Sequence, residues 1–349
     1  MYGAVRGKLD DGVSVFLGIP YGADTSSHRF QRATTPTPWT GVRETLTYPD
    51  TSPQVELAGD LFASWDPVPR PPQSENMLGL NVWTPAIDAG RRPVMVWLHG
   101  GGFTAGYGSS RVFEGTRLAQ KGDVVVVTVN HRLNLLGYLY LPDLPGGEAF
   151  PDSGNAGMLD LVLALEWVRD NIAAFGGDPE NVTIFGESGG GWKVSTLLAM
   201  PEAEGLIDRA IVQSGSARYA RTPDEATSDA RIALTALGVS PDDLESLKTL
   251  PAEKFAETMK VLEADGTLPA NFFMPVADGR ALPADPFGEA APATARSVPM
   301  LIGSTADEFS LFFLGIPDTD AITFDALPGF LRTVVPEADQ LRVIAGYRA

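Results

Sequence analysis

Short runs in which nearly every position is apolar punctuate the chain, each closing on turn residues: VSVFLGIPY, LNVWTP, RPVMVWLHGGG, DVVVVTVNHR, NVTIFGES, RAIVQSGS and VPMLIGSTADE. A strand open to water on one face alternates apolar and polar positions, whereas a strand covered on both faces is apolar throughout. The runs therefore predict a mostly parallel sheet with helices on both faces. Between the fourth and fifth runs, Leu161, Leu165, Val168 and Ile172 recur at helical spacing, and Gly176, Gly177 and Pro179 supply a stop, which predicts a strand-helix-strand crossover. Residues 221–265, rich in acids and helix formers, predict a helical insertion over the sheet. Pro-, Ser- and Thr-rich residues 32–74 predict an irregular surface excursion. Residues 1–349 are expected to form one α/β domain carrying both.

The fifth run ends in an unusual junction, NVTIFGESGGGWKVS. Val182 to Phe185 predict a strand and Trp192 to Met200 a helix, so the chain must reverse sharply between them. Crowding at such a turn selects glycine on both sides of the central residue, which here is Ser188. Gly186-Glu187-Ser188-Gly189-Gly190 has the G-x-S-x-G form of a nucleophile elbow. Ser188 would stand at a helix N-terminus, where unpaired N–H groups and the helix dipole favour developing negative charge. The Gly189 N–H is the natural first donor to an oxyanion.

A second cluster, His99-Gly100-Gly101-Gly102-Phe103, follows the strand VMVWL at the same predicted sheet edge. Without side chains there, the N–H groups of Gly101 and Gly102 can point at a substrate oxygen, and one such donor contributes about 3 kcal/mol to transition-state stabilisation. Glycine-rich turns also serve only to let a strand meet a helix. The coincidence of both clusters at one edge favours a nucleophile with its oxyanion hole. Phosphate binding is disfavoured, because neither G-x-x-x-x-G-K-[ST] nor a proper G-x-G-x-x-G is present.

An acid is expected after a later strand, where Asp307 and Glu308 both qualify and spacing does not choose between them. The base is harder to find. The histidines are His28, His99 and His131, all before Ser188, whereas the expected chain order is Ser, acid, His. His99 reads as a loop-fixing side chain and His131 as a structural one. Glu187 is expected to be a buried structural partner, pointing away from substrate. Phe103 and Trp192, with Phe272, Phe273, Phe312 and Phe313, are candidate walls of a substrate pocket, although most aromatics are core by default.

Composition narrows the chemistry. With 26 Lys and Arg against 44 Asp and Glu, the net charge of −18 disfavours nucleic acid and anionic membranes as partners. The absence of cysteine removes disulfides and thiolate chemistry together. No signal peptide and no membrane-length apolar stretch is read, giving the expectation of a cytoplasmic protein.

The segments VFLGIPYG, ENMLGLNVWTP, WLHGGGF, VVTVNHRLNLLGYL, GNAGMLDLVLALEWVRDNIAAFGGDPENVTIFGESGGG, AIVQSGS and VPMLIGSTADEF resemble the type-B carboxylesterase family, which includes cholinesterases and bacterial p-nitrobenzyl esterase-like enzymes. They run from about residue 13 to about residue 313. The resemblance implies an α/β-hydrolase fold and a serine esterase, and a small or medium uncharged ester is the expected substrate. It also implies that neither cofactor nor metal is needed. It assigns Ser188 as the acyl-forming nucleophile, Glu308 as the triad acid, and Gly101, Gly102 and Gly189 as oxyanion-hole donors. Gly189 departs from the alanine common at that position. Family members carry their catalytic His on a late loop, so the resemblance implies a chain lacking its C-terminal third and that His. The competing readings are a non-catalytic esterase-like binding module and an amidase or carbamate hydrolase. Oligomeric state is not legible.

Overall fold

Each of the apolar runs becomes a strand. The computed structural model describes residues 2–55, 70–264, 272–308, 323, 325 and 337–348. In its eight-stranded sheet the order is β10-β9-β8-β6-β7-β5-β3-β2. The strands are β2 (Lys8–Asp10), β3 (Val13–Pro20), β5 (Gly79–Thr84), β6 (Arg92–Leu98), β7 (Val125–Val129), β8 (Gly177–Glu187), β9 (Arg209–Gln213) and β10 (Met300–Gly303). A separate parallel pair joins β1 (Ala4–Arg6) to β4 (Val42–Glu44). Pairing from β7 through β6, β8 and β9 to β10 is parallel, while β2, β3, β5 and β7 pair antiparallel. The sheet is thus mixed, parallel on the side that carries the glycine clusters.

Burial explains the continuous apolar runs. Every residue of β5 and β7 is buried. One face, with Val82, Val94, Val96, Val127 and Ile184, packs on α3 (Ala156–Asn171) and α4 (Gly189–Leu197). The other face, with Val15, Trp83 and Val126, packs on Ala119 of α1 (Thr116–Gly122). The short α2 (Asn134–Tyr138) follows β7. The crossover helix α3 ends where its glycine stop was expected, in a 3₁₀ turn closed by Gly176 at φ 79°. Strands β7 and β8 flank β6 in the sheet, so the crossover passes over one strand.

A buried ion pair fixes α3 beneath the strand ends. Asp160 accepts from Arg132 Nε at 2.8 Å, Arg132 Nη2 at 2.6 Å and the Arg132 backbone N–H at 3.0 Å, with both side chains buried. Beyond β9 come α5 (Pro223–Leu237) and α6 (Ala252–Ala264). A capping box between Thr222 and Glu225 starts α5, and Gly238 at φ 75° ends it. Of the segment 32–74, residues 56–69 lie outside the described residues, as does residue 265 of the segment 221–265. The remainder of 32–74 is irregular apart from β4 and a bridge between Thr51 and Gln73.

Contacts divide the chain into residues 1–303 and 304–349. In the second unit the described parts are a turn at residues 304–308 and α7 (Glu337–Arg348), with residues 323 and 325 besides. No described helix is long and apolar enough to cross a membrane.

Candidate active site

Sheet register sets the site. Leu98 on β6 pairs with Gly186 on β8, and Gly186 with Val212 on β9. The loop starting at His99 and the turn at Ser188 therefore leave the same sheet edge from adjacent strands. Ser188 adopts φ 54°, ψ −123°, a conformation that costs a non-glycine residue about 1–3 kcal/mol. The surroundings hold it there: the Ser188 N–H donates to Gln213 O at 2.9 Å, and the Ser188 carbonyl accepts from the Trp192 N–H at 3.1 Å. Ser188 is half-buried and caps α4, so its hydroxyl stands at the positive end of a helix dipole.

Glu187 departs from expectation. It is exposed rather than buried, although it still pairs in register with Gln213 of β9. A Cβ built on Gly100 would come within 3.2 Å of its Oε2 and 3.5 Å of Ser188 Cβ, so the glycine loop lies alongside both residues.

The two glycine clusters touch. A Cβ added at Gly189 would fall 2.3 Å from Gly102 O and 2.5 Å from Gly102 N, which only glycine permits without moving the loop. Gly101 has φ 87°, and a Cβ there would meet Ala105 O at 2.4 Å. Since C=O and N–H point oppositely across a trans peptide, fixing a carbonyl aims the amide behind it. Gly100 O faces His99 Nδ1 at 2.8 Å. Gly101 O accepts from the N–H groups of Thr104 and Ala105 at 3.3 and 3.1 Å and from Thr104 Oγ1 at 3.3 Å. The N–H groups of Gly101 and Gly102 are thereby held on the opposite side.

Neither buried histidine is placed as a base for Ser188. His99 and His131 stack with ring centroids 4.8 Å apart. Each Nδ1 faces a backbone carbonyl, Gly100 O and Arg132 O, both at 2.8 Å. A carbonyl only accepts, so Nδ1 carries the proton in each ring. Both Nε2 atoms are buried and have no hydrogen-bond partner among the described residues. Burial, reinforced by the Lys193 charge, pushes His99 down to about 3 and His131 well below the usual histidine range, so both are neutral. His28 is exposed, its Nδ1 2.7 Å from Ser27 Oγ.

Sequence reasoning passed over Lys193. This side chain is fully buried and donates to His99 O at 3.0 Å and Gly102 O at 2.7 Å. Its position was a usable signal, because Gly189, Lys193 and Leu197 share one helical face at i, i+4 spacing, and that face meets the loop.

Phe103 is buried, edge-on to Tyr138 and stacked on the half-buried Trp192 at 6.1 Å. Phe272 and Phe273 are buried against each other at 4.6 Å, and Phe312 and Phe313 lie outside the described residues. In the second unit Glu308 is half-buried, and its Oε1 accepts from the Thr305 N–H at 2.6 Å, while Asp307 is exposed. Among the described residues no three His, Asp or Glu side chains stand close enough to hold a metal ion.

The sequence profile of the carboxylesterase family matches residues 1–333. A para-nitrobenzyl esterase of Bacillus subtilis (strain 168) is 41% identical over 335 residues, covering 95% of this chain and 66% of the relative. The chain thus spans just under two thirds of that protein's length. The crystal structure of Geobacillus stearothermophilus carboxylesterase EST55 at pH 6.2 superposes with a TM-score of 0.82 at 41% identity, over 95% of this chain and 66% of that one. A thermophilic pNB esterase structure gives 0.86 at 37% identity, over 99% and 70%. These neighbours carry the α/β-hydrolase fold.

Proposed function

The chain belongs to the carboxylesterase family, and from that premise we propose that it performs serine carboxylesterase chemistry centred on Ser188. The observation that carries the reading is Ser188 held at φ 54° on a helix N-terminus, with Gly189 packed against the backbone of Gly102. Ser188 Oγ attacks the ester carbonyl carbon as a base takes its proton, which later goes to the leaving alcohol. Negative charge gathers on the carbonyl oxygen, where the N–H groups of Gly101, Gly102 and Gly189 meet it. The tetrahedral intermediate collapses, the alcohol departs with a proton, and water releases the acid from the acyl-enzyme.

Glu308 takes the role of triad acid from the family resemblance, orienting the base. That base is none of His28, His99 and His131: two are buried, neutral and bonded to backbone, and the third is exposed and beside Ser27. No histidine follows Ser188 in the sequence. The substrates are small, uncharged carboxylic esters, a class supported by the likeness to a para-nitrobenzyl esterase.

Hydrolysis of p-nitrophenyl acetate and butyrate tests the reading, with and without imidazole as an added base. Imidazole accelerates the wild-type reaction well beyond its own background, and Ser188→Ala returns it to that background. Equal imidazole-dependent rates in the two proteins refute the assignment. A binding module behaves in that second way.

A further inference from the structure

Lys193 does something the family mechanism does not ask of it. An ammonium group removed from water costs several kcal/mol unless it is well bonded, so its three N–H groups need accounting for. Two go to His99 O at 3.0 Å and Gly102 O at 2.7 Å, and the nitrogen sits 5.4 Å from the centroid of the Phe103 ring, within cation–π range. The two carbonyls bracket the glycine loop, one where it leaves β6 and the other where it meets Gly189. Together with the bonds to Gly100 O and Gly101 O described above, each carbonyl from His99 to Gly102 is held from behind.

We propose that Lys193 is a positioning residue of the oxyanion site: it clamps both ends of the loop that carries the Gly101 and Gly102 amides and places a positive charge on that loop. The role rests on the esterase reading of Ser188. A purely structural residue could satisfy these carbonyls without charge, as a backbone N–H does. The two carbonyls belong to the peptides of the Gly100 and Phe103 N–H groups, which flank the peptides carrying the Gly101 and Gly102 amides. An ammonium group there fixes both ends of that loop and adds a nearby field that favours negative charge.

Charge state makes the role visible. Burial pushes Lys193 down to about 7, so the clamp is charged on the acid side of neutrality and loses its charge above it. The titratable groups facing this corner are His99 and His131 after β6 and β7, both neutral, and Glu187 at the end of β8, beside Gly100. Behind them lies the Arg132–Asp160 pair between the end of β7 and α3. The groups contributed by β9 at this edge are uncharged: Gln213 O accepts from the Ser188 N–H.

The test compares wild type, Lys193→Met and Ser188→Ala in imidazole-supported hydrolysis of p-nitrophenyl acetate from pH 6 to pH 9. The wild-type to Lys193→Met ratio of kcat cancels the titration of imidazole. It is expected to be about tenfold or more below pH 7 and to fall toward unity above it, with KM little changed. A ratio near one, or a reduced rate with a ratio independent of pH, overturns the role. Should Lys193→Met fail to fold, the wild type labelled with ¹³C-lysine serves instead. Phenylboronic acid, which forms an anionic adduct on a serine, is expected to move the Lys193 titration upward, and an unmoved titration in the adduct overturns the role. Turnover lost in Ser188→Ala with a flat ratio removes the Lys193 role alone, whereas turnover persisting in Ser188→Ala removes the esterase reading beneath it.

Discussion

Replacing Ser188 by glycine should make the protein more stable than replacing it by alanine. The residue sits at φ 54°, ψ −123°, away from the left-handed well near ψ +47°, and a side chain in such a region costs about 1–3 kcal/mol. Glycine removes that cost but gives the unfolded chain extra freedom worth about 0.5–1 kcal/mol. The net gain of Ser188→Gly over Ser188→Ala is therefore about 0.5–2 kcal/mol. Alanine is the proper reference because it also deletes the hydroxyl while keeping Cβ and its strain. Urea unfolding followed by tryptophan fluorescence measures the difference. Glycine no more stable than alanine would mean that the turn at Ser188 stores no strain, and the elbow geometry behind the functional proposal would lose its footing.

Two further outcomes follow from buried charge. Asp160→Ala leaves Arg132 buried and unpaired and should destabilise by about 3–5 kcal/mol, while the double change Asp160→Ala with Arg132→Met costs less; a double variant as damaged as the single one contradicts this. His99, held at about 3 in the fold against 6.5 in the open chain, takes up its proton in the unfolded state first, so stability falls as pH drops below about 6.5. By pH 5 the loss from His99 is about 2 kcal/mol. His99→Gln should flatten that slope in urea midpoints measured from pH 7 to pH 5, and an unchanged slope would contradict the neutral, buried ring.

Strands β3 and β5 to β9 were legible because each is covered on one or both faces, and their apolar runs are a direct trace of burial; β10 was legible from the same kind of run although it is exposed along its length. Strands β1, β2 and β4 left no trace: each is three residues long and largely exposed, too short for any period. The start of α4 was misread by three residues. Gly189, Gly190 and Gly191 are poor helix formers, yet the helix begins with them because the backbones of Gly102, Leu98 and Gly215 stand against them in turn and leave no room for a side chain. Ser188 and the loop were legible because their glycine spacing records backbone crowding. Lys193 was not, since a lysine in a glycine-rich stretch reads as surface until the helix face is drawn. Glu187 was misjudged for a related reason: the glycines on either side of the elbow are buried, whereas the Glu187 side chain between them is exposed.

The most direct test of Ser188 as the nucleophile is the site of covalent modification by an organophosphate ester such as diethyl p-nitrophenyl phosphate, read by intact mass and peptide mapping with imidazole present. One adduct per chain is expected, on the peptide containing Ser188 and absent from Ser188→Ala. An adduct on another residue, or equal labelling of both proteins, would contradict the account.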